Sequence, residues 1–510
     1  MATEEPAEPG ADAPEAYQDL LGKYRRLANL NYTSNVLSWD QQVMMPEGGT
    51  PARSQQLSTL SSLGHELLVD PETGEWLDDL ESGELTEDQR AAVREVRREY
   101  DRQASVSNEL IEEISATSSE ALEAWESARA EDDFETFAPY LEELVDLKRE
   151  YAAQIDPDRD PYAVLFEEYE PCLPIEHAER ILERVRETLV PMIEEIRASD
   201  ADVATDVFDG TYPADQQEEL SREVLSTIGY DWDHGRLDTS SHPFTIGNTY
   251  DARITTRFDE ENPLDALAST IHEFGHALYA LGLPEDDFAT PLGEARDLSV
   301  HESQSRLWEN HVGRSEAFWE LVLPTFAEQF PEASGVDPRR AYESANQVYE
   351  DNLIRVQADE LTYHLHILVR FEIERALIRG ELEVEDVPQV WNDKYEEYLG
   401  VRPDSDAEGC LQDIHWSHGN FGYFPTYTLG SVMAAQLYDA AEGDLDDLEG
   451  EIRRGEFGPL REWLRENVHR HGSRYETNEL VRQATGEDFT ADYFLAYVEE
   501  KYGELYDLDR

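Results

Sequence analysis

The chain has 510 residues, 114 of them acidic against 41 basic, for a formal net charge of −73. That balance excludes nucleic acid and anionic membrane surfaces as partners, because both would be repelled. Two cysteines, Cys172 and Cys410, are too few for a disulfide framework, and no run approaches the roughly eighteen uninterrupted apolar residues of a membrane span.

The acids are spread along the whole chain, as at Glu112-Glu113, Asp286-Asp287 and Asp446-Asp447, while lysine is reduced to Lys23, Lys148, Lys394 and Lys501. A tail that captures a cationic partner would be a block. The even spread points instead to adaptation to a salt-rich cytoplasm, where molar salt shortens the screening length to about 3 Å. The start, Met1 to Pro6, has neither the cationic nor the apolar segment of an export signal, so a cytoplasmic protein is expected. Residues 1–15 are expected to form an acidic flexible tail ahead of one catalytic domain, 16–510. Amphipathic patterns then predict helices over Ala16–Tyr32, Glu87–Thr117, Ser119–Gln154 and Ile175–Ala198. From Arg236 to Phe258 the texture changes to short alternations containing Leu237, Phe244, Ile246, Tyr250 and Ile254, broken at His242-Pro243 and Gly247-Asn248. These predict a small sheet whose edge strand can hold an extended peptide by main-chain hydrogen bonds.

Next comes His272-Glu273-Phe274-Gly275-His276, in a stretch with an N-terminal turn at Pro263 and Asp265 and apolar positions at Leu267, Ile271 and Leu278. Residues at i and i+4 share a helix face, so the two imidazoles can meet one metal ion while Glu273 takes a proton from metal-bound water. With 14 histidines in the chain, chance gives this pattern only about 0.05 times. A hydrolytic zinc needs a third protein ligand and an open fourth position. The helical pattern from Val300 to Trp308 offers Glu302, with His301 as the rival; the glycine that a three-histidine motif needs after His276 is absent, since Ala277-Leu278 continues the helix. Glu302 can then bind the metal while His301 serves substrate or stands behind a ligand. Further on, the run from His415 to Tyr427 mixes aromatics with Gly419 and Gly422, which give it local freedom to close over substrate.

Six strings in order carry a resemblance: His242-Pro243-Phe244; Asp251-Ala252-Arg253-Ile254-Thr255; His272 to His276; His301-Glu302-Ser303-Gln304; Ile354 to Asp359; and Gly409-Cys410-Leu411-Gln412-Asp413-Ile414-His415-Trp416. Together with Leu37-Ser38-Trp39-Asp40-Gln41, Met45-Pro46 and Arg53, they resemble the carboxypeptidase Taq family over nearly the whole chain. The resemblance implies a mainly α, two-walled cleft fold akin to neurolysin and angiotensin-converting enzyme, with a small sheet beside the zinc helix. It also implies one Zn2+ per chain, with Co2+ as an alternative, a homodimer, and peptide substrates that lose single C-terminal residues with broad tolerance.

By the same resemblance, His272, His276 and Glu302 hold the metal and Glu273 is the catalytic base. His415 and Tyr423 match the family's donors to the oxyanion, a tyrosine hydroxyl or a protonated histidine. Arg355, in the Ile354 to Asp359 string, is the expected partner of the substrate's terminal carboxylate, for which a bidentate guanidinium is suited. Its structural alternative is a pair along one helix with Asp351 or Asp359. Arg253, His242 and His301 are further substrate-binding candidates, and Asp251 or a nearby carboxylate is expected to accept the far N–H of a ligating imidazole. An oligopeptidase or peptidyl-dipeptidase is the closest alternative, and a catalytically silent peptide-binding protein the remote one. An aminopeptidase is disfavoured because no Gly-Ala-Met-Glu-Asn type string is present.

Overall fold

The computed structural model describes residues 13–350 and 352–508. Of the expected tail, residues 1–12 lie outside the described residues, and the first helix already begins at Glu15. That helix, Glu15–Val43, outruns its predicted end at Tyr32 and forms a hairpin with Thr50–Leu68 around Pro46. The helix predicted over Glu87–Thr117 is two helices. Thr86 and Gln89 close a capping box on Glu87–Ser105, and Ser107, in extended conformation, then caps Asn108–Glu131 through its hydroxyl. The next predicted helix, Ser119–Gln154, is cut at Asp132, whose left-handed φ of 57° lets the chain reverse into Phe134–Ile155. The second break is hidden because Asn108–Glu131 and Phe134–Ile155 pack on each other, so the apolar stripe continues across a short corner that periodicity does not register; the first is a two-residue step at Val106-Ser107 between amphipathic runs. Ile175–Ala198 forms with its predicted bounds.

The small sheet has three strands, β1 (Gly235–Thr239), β2 (Thr245–Asn248) and β3 (Asp251–Thr256), in the order β1-β3-β2. β3 pairs parallel to β1 and antiparallel to β2, with Leu237 opposite Ile254 and Ile246 opposite Arg253. β2 is therefore an edge. It lies so close to the next helix that a Cβ on Gly247 would stand 2.8 Å from that of Ala280.

The motif helix, Pro263–Gly282, starts with Asn262 capping the Asp265 N–H and Pro263 in the first turn, where its missing N–H leaves nothing unpaired. Ile271, Phe274 and Ala277 bury its inner face. Against it lies Leu298–Arg306, which is sandwiched in turn by Pro425–Asp444 and runs into a wide π-type turn, Leu307–Gly313, a form that recurs at functional sites. Gly275 makes the close packing possible: a Cβ there would sit 2.5 Å from the Gln304 carbonyl oxygen and the Ser305 Cα. One large apolar cluster runs from Ala121 to Tyr506, and a smaller one joins Tyr17, Leu20 and Leu21 to Leu77, Leu80 and Val96. Among the described residues no helix is long and apolar enough to cross a membrane.

Candidate active site

The His272 and His276 rings stand one turn apart on the motif helix, and Glu302 reaches them from the next one. Its Oε2 lies 3.8 Å from His272 Nε2 and 3.6 Å from His276 Nε2. Tetrahedral zinc with ligand bonds of ordinary length needs donors about 3.3 Å apart, so this set fits such an ion with little adjustment. Each donor is backed from behind. His272 Nδ1 meets Glu309 Oε2 at 2.9 Å, and Glu302 Oε1 accepts from Arg306 Nε at 2.7 Å, which leaves its other oxygen for the metal side. Arg306 also reaches Glu309 Oε2 at 3.1 Å, and Arg314 holds Oε1 at 3.2 Å. Burial opposes the charge on Glu309, but Arg306, His272 and Arg314 hold its carboxyl well below the usual range.

His301 does not reach the donor set. Its Nδ1 lies 2.6 Å from His276 Nδ1, and burial pushes it down to about 4, so it is a neutral imidazole that accepts the His276 Nδ1–H and frees Nε2 of that ring for a metal. The carboxylate behind His272 is Glu309 and not Asp251, which instead grips Arg253 with both oxygens. Sequence reasoning missed Glu309; its one signal was its place seven residues after Glu302, two turns along the same face.

Glu273 is buried beside the donors. Thr245 Oγ1, on edge strand β2, donates to its Oε2 at 2.6 Å. Burial pushes the Glu273 carboxyl up to about 7, against the opposing pull of His272 and the Thr245 bond. A carboxylate poised near neutrality between a metal site and a strand edge is suited to take and return a proton.

Arg355 lies in a short 3-10 turn, Arg355–Gln357, and not in a helix, so the structural alternative of a helical pair with Asp359 does not form. Asp359 turns its carboxylate to the Leu361 and Thr362 N–H groups, and Asp351 lies outside the described residues. Arg355 instead donates to Asp413 Oδ1 from Nε at 3.0 Å and Nη2 at 2.8 Å, while Nη1 points at the Tyr363 hydroxyl, 3.4 Å away. The other face of this link belongs to the metal cluster, since Arg306 sits 4.7 Å over the Tyr363 ring. Tyr423 feels the charges of both Glu302 and Arg355, and lies edge-on to Tyr427 at 5.3 Å and 5.5 Å from His415. Burial pushes His415 down to about 4 despite Asp413 nearby, so it is neutral and offers an N–H rather than a cation.

The loop carrying His415 and Tyr423 is anchored. Gly419 and Gly422 are both left-handed, with φ of 70° and 91°. The Gly422 N–H donates to Glu374 at 3.2 Å, and a Cβ on Gly422 would stand 2.8 Å from the Phe166 nitrogen. Gly422 thus serves close approach, while Gly419, where a Cβ would meet no neighbour nearer than 3.7 Å, serves the left-handed turn. His242 is exposed on the β1–β2 turn, three residues before Thr245, and Arg253 is held by Asp251 and stacked 4.6 Å over Trp39 of the first helix.

Two imidazoles and a carboxylate on packed helices, with a second buried carboxylate beside a strand edge, define a mainly helical metallopeptidase. Residues 19–502 match the family described as carboxypeptidase Taq (M32) metallopeptidase. Thermostable carboxypeptidase 1 of Thermus thermophilus is 42% identical over 508 residues, covering 97% of this chain and 99% of that protein. Carboxypeptidase 1 of Bacillus subtilis is 36% identical over 489 residues, covering 94% and 97%. Among solved structures, a Pyrococcus furiosus carboxypeptidase superposes with a TM-score of 0.93 at 39% identity, over 96% of this chain and 99% of that one. An M32 carboxypeptidase from Deinococcus radiodurans gives 0.93 at 38% identity, over 97% and 100%. The chain belongs to the carboxypeptidase Taq family and is a metallocarboxypeptidase.

Proposed function

We propose that the enzyme is a zinc carboxypeptidase that releases single C-terminal residues from peptides with broad side-chain tolerance. The observation that carries this reading is convergence: the donor set of His272, His276 and Glu302, the buried Glu273 beside it, and Arg355 joined to the same cluster through Tyr363 and Arg306. The two-nitrogen, one-oxygen donor set suits Zn2+, one per chain, and Co2+ can take the same geometry. A zinc ion held there supplies Lewis acidity, which acidifies water and polarises the scissile carbonyl.

The chain's own residues do the rest. Glu273, kept in place by Thr245, takes the proton of the attacking water and hands it to the leaving amine. Tyr423 and neutral His415 donate hydrogen bonds to the developing oxyanion. Arg355 pairs with the terminal carboxylate, and the free edge of β2 holds the peptide backbone beside Glu273. His301 acts behind His276 in this scheme, while Arg253 and His242 shape the region of the sheet and first helix.

Mass spectrometry of an unblocked peptide and its C-terminally amidated twin, incubated with metal-loaded enzyme in molar KCl, tests the reading. Stepwise loss of single residues from the free acid alone is expected; dipeptides or internal fragments would transfer the chain to the oligopeptidases of similar design.

The wider reading is one catalytic domain over 16–510, preceded by the acidic tail and folded as a two-walled cleft of the neurolysin and angiotensin-converting-enzyme kind. It is homodimeric and works in a salt-rich cytoplasm. The even spread of acids supports the last point, and a melting temperature that climbs as KCl is raised to molar levels is expected; a flat profile would remove it. Sedimentation at high salt reads the dimer.

A further inference from the structure

Asp413 is shared by two arginines. Arg355 takes its Oδ1, and Arg370, on helix Thr362–Arg379, donates from Nε to its Oδ2 at 2.5 Å. Arg370 is wholly buried. Its Nη1 donates to the His366 carbonyl at 2.8 Å, its plane lies 4.6 Å over Trp391, and its Nη2 has no hydrogen-bond partner. Glu374, the other buried carboxyl that feels Arg370, is pushed up to about 8 by burial and is engaged by the Tyr162 hydroxyl, the Trp416 indole N–H and the Gly422 N–H rather than by either guanidinium. Two guanidiniums therefore face one carboxylate, deep in a chain whose net charge is −73.

An isolated Arg355–Asp413 pair would be neutral and closed. A peptide carboxylate approaching it would be attracted by the guanidinium, and Asp413 on the far side would offset a large part of that attraction. An uncompensated buried cation is costly, so its retention beside such a pair calls for an anion that is not part of the fold.

We propose that Arg370 is a positioning residue for substrate specificity: by holding the second oxygen of Asp413 it divides that acid's charge, leaves the cluster net positive, and keeps Arg355 open to the terminal carboxylate of a peptide. Arg370 itself touches no substrate. The proposal rests on the reading of Arg355 as the carboxylate partner.

The test compares wild type with R370Q, R370K, R370Q/D413N and R355A on a peptide free acid as substrate and its amide as a competitive inhibitor, with metal content and melting temperature recorded for each. R370Q is expected to raise KM for the free acid by about 10- to 100-fold while leaving kcat, and the inhibition constant of the uncleaved amide, nearly unchanged. R370K keeps the charge and stays close to wild type; it also carries the test if R370Q fails to fold. The decisive variant is R370Q/D413N. With both charges removed Arg355 is again uncompensated, so KM returns to within about threefold of wild type, whereas a merely structural Arg370 makes the double variant worse than the single one. Equal losses on acid and amide in R370Q, or no recovery in the double variant, overturn the proposal. R355A separates the two readings: if it discriminates acid from amide while R370Q does not, only the role of Arg370 falls, and if it fails to discriminate, the carboxylate assignment falls and takes this proposal with it.

Discussion

Gly430 is the most exposing place to test how the metal ligand is held. It lies on helix Pro425–Asp444, and a Cβ there would stand 2.4 Å from Glu302 Cγ and 2.5 Å from Glu302 Cβ. Ordinary contact needs 3.4–4 Å, so Gly430→Ala must move Glu302 or its helix by about 1 Å. Inside a helix the same change would by itself stabilise by about 1 kcal/mol, and overpacking of this kind costs about 1–3 kcal/mol, so the fold should lose at most about 2 kcal/mol. The metal site tolerates far less. Coordination distances hold to about 0.2 Å, and even losing a partner behind a ligand costs about 10- to 100-fold in affinity, so displacing Glu302 itself should weaken zinc by about 100-fold or more. Competition against a chelator measures this, with apo-protein melting temperature as the control for folding. Gly443→Ala on the same helix meets nothing within 4 Å and should leave zinc affinity unchanged. If Gly430→Ala binds zinc within about threefold of wild type while melting higher, the gap at Gly430 does not place Glu302 and the reasoning fails.

Glu273→Gln should keep about one equivalent of metal while turnover falls by about 100- to 10,000-fold, since ligands and base are separate residues; loss of zinc would contradict the assignment. Glu309→Gln should weaken zinc by about tenfold, read by the same competition, because Arg306, Arg314 and His272 lose their shared charge; unaltered affinity would make Glu309 merely structural. Glu95 supplies a pH prediction. Burial raises its carboxyl, but Arg296, Arg98 and Arg94 outweigh that and bring it down from 4.5 to about 2. A depressed acid stabilises the fold above its unfolded value and loses that contribution as pH falls. Wild type should therefore exceed Glu95→Gln by about 3 kcal/mol in denaturant unfolding near neutrality, a gap that closes between pH 4.5 and about 2; a gap persisting at the acid end would refute it.

The parts of the site legible in the sequence were those with a local period. His272, Glu273 and His276 follow from one helical turn, and the sheet before them from alternation broken by Pro243 and Gly247. The residues that back them were not legible, because each is set by an approach between distant segments. Glu309 meets His272 across 37 positions, and Arg370 meets Asp413 across 43. The string holding Asp413 and His415 marked them as a group without saying that Asp413 faces two guanidiniums. Asp251 and Arg253 showed the converse error. Their spacing on alternate positions of β3 places both on one face of the strand, where they pair with each other, and it is Glu309, not Asp251, that backs a ligating imidazole.

Five arginines, four of them near the candidate site, are kept largely from solvent. Arg296, Arg355 and Arg370 are buried, and the Arg306 and Arg314 side chains are only 14% and 19% exposed. In molar salt a surface ion pair is screened within about 3 Å and contributes little, whereas a pair closed off from solvent keeps its strength. Arginine also does there what lysine cannot: its fork lets Arg306 bridge Glu302 and Glu309, and lets Asp413 be held from two sides. A few shielded guanidiniums thus brace the cluster from inside, where solvent ions do not reach, while other arginines, such as Arg453, Arg470 and Arg482, pair with acids at the surface.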